Sequence, residues 1–120
     1  MNWFDYVIEY GKKALPYIST VASIAFPQIS WLPVVLSAIP KLVNEAEEMF
    51  DEGAVKKDHV LSGLQVIADT MAEASTGGQK ATWESLKPML GDATDLIVAG
   101  ANITQSVIDQ FELNKQEAGA

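Results

Sequence analysis

The chain has 120 residues and a net charge of −8, with no cysteine and with lysine as its sole basic residue type. The absence of cysteine excludes disulfides, thiolate metal sites and a cysteine nucleophile. Sixteen acids against eight lysines, with no arginine fork for phosphate, exclude a nucleic-acid-binding surface, so no nucleic-acid partner is expected.

The first element predicted is a short amphipathic helix over 2–15, capped by Asn2, with Trp3, Phe4, Val7, Ile8 and Tyr10 alternating with Asp5, Glu9, Lys12 and Lys13 at helical spacing. Asp5 and Glu9 stand where a signal peptide carries positive charge, and Met1 is read as the start of the mature chain. The 27 residues of 14–40 then contain no charged side chain and four prolines, Pro16, Pro27, Pro33 and Pro40. Pro16 is expected to end the first helix, because a proline pushes the residue before it out of the helical region. Apolar helices over 17–26 and 29–39, turning at Pro27-Gln28, would make a proline-punctuated N-terminal hairpin. Each arm is about 15 Å long, half of a hydrocarbon core near 30 Å thick. Such a segment is hidden from water by a bilayer, by partner subunits or by the rest of the chain.

From Pro33 or Pro40 a longer helix is predicted to run to Glu52, with Leu36, Ile39, Leu42, Val43, Ala46, Met49 and Phe50 on one stripe. Its other face carries Glu45, Glu47, Glu48, Asp51 and Glu52, and Gly53 is placed to stop it in a left-handed turn. A helix over 55–74 follows, burying Val60, Leu61, Leu64, Ile67, Ala68 and Met71. Ser75-Thr76-Gly77-Gly78 reads as a loop, and Thr82 as the cap of a helix carrying Trp83, Leu86 and Leu90. Gly91-Asp92 reads as a break before a last helix with Leu96, Ile97, Gly100, Ile103, Thr104, Val107, Ile108 and Phe111, and 112–120 as a polar tail. The fold class is all-α: a small bundle of four to six helices, with apolar helices over 1–53 and acidic amphipathic ones over 54–120 forming one structural unit.

No constellation for catalysis emerges. His59, the only histidine, has no second histidine or strained serine to work with and reads as a surface residue. The acids of 45–52 lack the loop spacing of a calcium site and the Glu-x-x-His pair of a di-iron bundle, and read as a solvated, self-repelling face. Gly77-Gly78-Gln79-Lys80 lacks the spaced glycine and Lys-Ser/Thr end of a phosphate loop. Neither metal nor cofactor is expected, and an enzyme is not.

Seven of the ten aromatics fall within the first 31 residues. Trp3, Tyr6, Tyr10, Tyr17, Phe26 and Trp31, with Leu36, are the expected contacts to a membrane or to an assembly, since such rings suit both a bilayer interface and a protein seam. Gly100 and Thr104 have the small-residue spacing that lets helices approach closely. The expected function is that of a non-enzymatic structural protein, packing through its apolar N-terminal half against copies of itself or other assembly proteins. The alternative is a small membrane-inserting or pore-forming protein with 14–40 in the bilayer. The layout loosely resembles small phage virion or ejection proteins and small holins, which implies a virion or membrane location rather than a free cytoplasmic one, although no motif ties the chain to a family.

Overall fold

A computed structural model describes residues 2–74 and 83–118, and over these the protein is an all-α bundle of five helices with no strand. The loop at 75–78, the Gly77-Gly78-Gln79-Lys80 run and the Thr82 cap lie outside the described residues.

α1 (Trp3–Ala25) starts at the predicted cap, where Asn2 Oδ1 accepts from the Asp5 N–H and Asp5 Oδ2 from the Asn2 N–H, both at 3.1 Å. It does not stop at Pro16, as the sequence predicts, but runs through it to Ala25. Pro16 is exposed, so the hydrogen bond it forfeits lies on the wet side of the helix. Buried Val7 and Gly11 before it and Ala22 after it hold both halves of α1 to the same core. The chain then turns, with the Ile29 N–H donating to Phe26 O at 3.1 Å and the Leu32 N–H to Ile29 O at 3.2 Å.

The single helix expected from Pro33 or Pro40 to Glu52 is two: α2 (Leu32–Ser37) and α3 (Ile39–Met49). Pro33 and Pro40 each sit in a first turn, where a missing N–H costs nothing, and Pro40 cannot continue the ladder of α2. Nor does Gly53 stop α3. Phe50 leaves the helix in an extended conformation, φ −134° and ψ 154°, and Gly53 opens α4 (Gly53–Ala74). Phe50 turns toward α4, its ring centroid 5.4 Å from that of His59.

α5 (Trp83–Ala118) replaces the two helices and polar tail predicted beyond residue 82, running through Pro88 and Gly91 without a break. Leu86, Leu90, Ala93, Ile97 and Ala101 are buried at steps of four and three across that point, so the apolar stripe keeps its phase. One core takes residues from all five helices, with Val7, Leu32, Val35, Leu36, Ile39, Leu64, Leu86, Leu90 and Ile97 each 1% exposed or less. Each such side chain contributes about 1.5–3 kcal/mol by leaving water. The bundle is long: its radius of gyration is 16.8 Å, where a compact chain of this length has about 13.6 Å.

Candidate functional site

α1 and α5 lie antiparallel. At one end Trp3 Nε1 donates to Asn102 Oδ1 at 2.7 Å, and farther along the Tyr10 ring lies over Gly100, so closely that a methyl there would collide with it. Toward the other end the helices part, leaving an open groove of roughly 610 Å³. Tyr17, Ile18, Val21 and Phe26 form one wall, and Pro88, Met89, Ala93 and Leu96 the other. Tyr10 and Lys13 extend the α1 wall toward the middle of the molecule, and Asp92 adds one carboxylate to the α5 wall.

The groove follows from an apolar arc too wide for the core to cover. Ile18 and Ala22 point inward, whereas Tyr17, Val21 and Ile24, at i, i+4 and i+7, form a neighbouring stripe that is 77%, 63% and 77% exposed. No charge interrupts 14–40, so nothing keeps that stripe wet. α5 repeats the arrangement: Ile97 and Ala101 are buried while Leu96, Ile103 and Val107 face solvent. A contiguous apolar surface of this kind on a small protein marks a contact site.

The expected contact residues divide between two places. Tyr6, Trp31 and Leu36 are buried in the core. Tyr10, Tyr17 and Phe26 come together along the groove, and Trp3 is half-buried at the end of α1 against Asn102. Gly100 faces α1, receiving an aromatic ring rather than a helix backbone, and the Thr104 hydroxyl donates to the Gly100 carbonyl at 2.8 Å. Val21, Ile24, Leu96, Ile103 and Val107 went unselected in the sequence. Their signal was the width of the apolar arc, which exceeds the stripe one helix face buries.

The acidic face is less self-repelling than its sequence implies. Glu45 Oε1 lies 2.9 Å from His59 Nε2, and Glu47 Oε2 lies 2.7 Å from Lys56 Nζ, tying α3 to α4. His59 is accordingly a half-buried partner of Glu45 and Phe50 rather than a free surface residue. Lys57 reaches Asp95 at 2.8 Å and joins α4 to α5 in the same way. Among the described residues no three His, Asp or Glu side chains gather as a metal site would require, and no helix is long and apolar enough to cross a membrane. No protein-family model, curated protein or solved structure matches the chain.

Proposed function

We propose that the protein is a non-enzymatic assembly component that works by docking its α1/α5 apolar face onto copies of itself or onto other assembly proteins. The observation that carries this reading is the exposed Tyr17–Val21–Ile24 stripe beside the open groove. In the proposed arrangement 14–40 acts as a hairpin, its second arm anchored in the core and its first presenting the contact surface. A multi-copy particle, such as a virion or an ejection apparatus, is the setting in which a small uncatalytic bundle of this kind has a use.

One observation favours the membrane alternative: the outer arm of α1 is exposed, uncharged and preceded by Lys12 and Lys13. Against it, Ile29, Leu32, Val35, Leu36 and Ile39 are core residues, and moving 14–40 into a bilayer would strip them from the bundle. Light scattering on the full chain, with and without detergent, separates the readings. An assembly larger than one chain in detergent-free buffer supports the proposal. A monodisperse monomer at micromolar concentration overturns it, and recovery only in detergent or on vesicles favours the alternative.

A further inference from the structure

The last part of α5 has no partner within the chain. Every described side chain from Ser106 to Asn114 is exposed, and the Trp3–Asn102 hydrogen bond marks where α1 ends beside it. Residues 103–118 therefore project from the bundle by about 24 Å at 1.5 Å per residue. A lone helix of that length is marginal in water, and this one carries an apolar stripe into solvent, with Ile103 65% and Val107 62% exposed.

The projection and the groove match in four respects. Ile103, Val107, Gln110 and Asn114 continue, in steps of four and three, the face on which Ser85, Met89, Asp92 and Leu96 line the groove. The groove wall from Tyr10 to Phe26 is about 25 Å long, close to the length of the projection. Residues 96–108 carry no charge, so copies that each bear −8 can meet along this seam without opposing like charges. Finally, the polar end of one suits the polar end of the other: Gln110 and Asn114 bring amide donors, and Asp92 is the carboxylate of the groove.

We infer that two copies of this chain pair antiparallel through α5, the projecting end of each filling the α1/α5 groove of the other. The inference rests on the assembly reading and names its partner. Because each copy carries the groove and the projection on one face, a two-fold axis fills both grooves at once and closes the assembly as a dimer. A head-to-tail arrangement would leave one of each unfilled and grow as a filament.

Sedimentation velocity on the full chain tests this with two exposed positions, Val21 in the groove and Val107 on the projection. The wild-type chain is expected to sediment as a dimer. Val21→Glu and Val107→Lys are each expected to keep the helicity and melting of the wild type yet to weaken dimerisation about 100-fold or more, through a charge buried without a partner. An equimolar mixture of the two variants is expected to regain the dimer, since the new acid of one groove meets the new base of the other projection while the second groove stays native. Dimerisation unchanged in either variant, or lost in both and not regained on mixing, overturns the antiparallel pairing while leaving the assembly reading standing. A wild-type monomer overturns both.

Discussion

At Gly100 two effects of comparable size oppose each other. Alanine is worth about 1 kcal/mol more than glycine inside a helix, but a methyl at this position collides with ring carbons of Tyr10. Overpacking of this kind costs about 1–3 kcal/mol, so Gly100→Ala is expected to lower stability by about 1 kcal/mol in urea titrations. In a Tyr10→Ala background the same change is expected to raise stability, because only the propensity remains; a loss in both backgrounds would show that the ring is not the cause. Leu36 and Ala25 make a second contrast. Both lie in the uncharged segment, yet Leu36 is 0% exposed and Ala25 faces solvent. Leu36→Lys leaves an unpaired charge in the core and is expected to cost about 3–5 kcal/mol, whereas Ala25→Lys is expected to stay within about 0.5 kcal/mol. Thermal melts of the two variants check the difference, and equal losses would place Ala25 in the core as well.

At the scale of elements, the prolines act by position. Pro33 and Pro40 begin helices, while Pro16 sits thirteen residues after the Trp3 start of α1 and removes one of its hydrogen bonds. The surrounding core contacts override that loss without cancelling it. Pro16→Ala is therefore expected to stabilise the protein by about 1–3 kcal/mol, read as a higher urea midpoint at unchanged slope. A fall in the midpoint would mean that the bundle needs the bend a proline imposes. Helix identity was legible here because the apolar stripes have a helical period, and the Asn2 cap was legible because capping is local. The boundaries at Pro16, Gly53 and Gly91 were not. Each was set by what the neighbouring turns bury, such as Phe50 against His59 or the unbroken Leu86–Ala101 stripe, and no local residue preference reports that.

For the whole molecule, charge and apolar surface work against each other. A net charge of −8 drives copies apart, while the groove and the projecting end of α5 draw them together along an uncharged seam. Salt weakens the first and leaves the second largely untouched. Self-association is therefore expected to strengthen as salt rises from about 20 to 500 mM, a range over which the screening length falls several-fold. Sedimentation across that series checks the sign, and weakening would mean that ion pairs hold the contact. The expected contact residues were only partly legible for a related reason. Aromatic enrichment near the N-terminus marks rings that must avoid water, and it does not distinguish Trp31, which enters the core, from Tyr17, which does not.

The sequence by itself determined that the protein is helical, acidic, free of thiol chemistry and without a charge from 14 to 40, because period and composition are properties of the chain alone. Which half of that segment is covered was decided only when the helices packed. The core has room for one stripe of each helix, and Leu32, Val35, Leu36 and Ile39 take it from one side as Val7, Ile18 and Ala22 do from another. Tyr17, Val21 and Ile24 are as apolar as these, and they stay outside because α5 diverges from α1 before it can cover them.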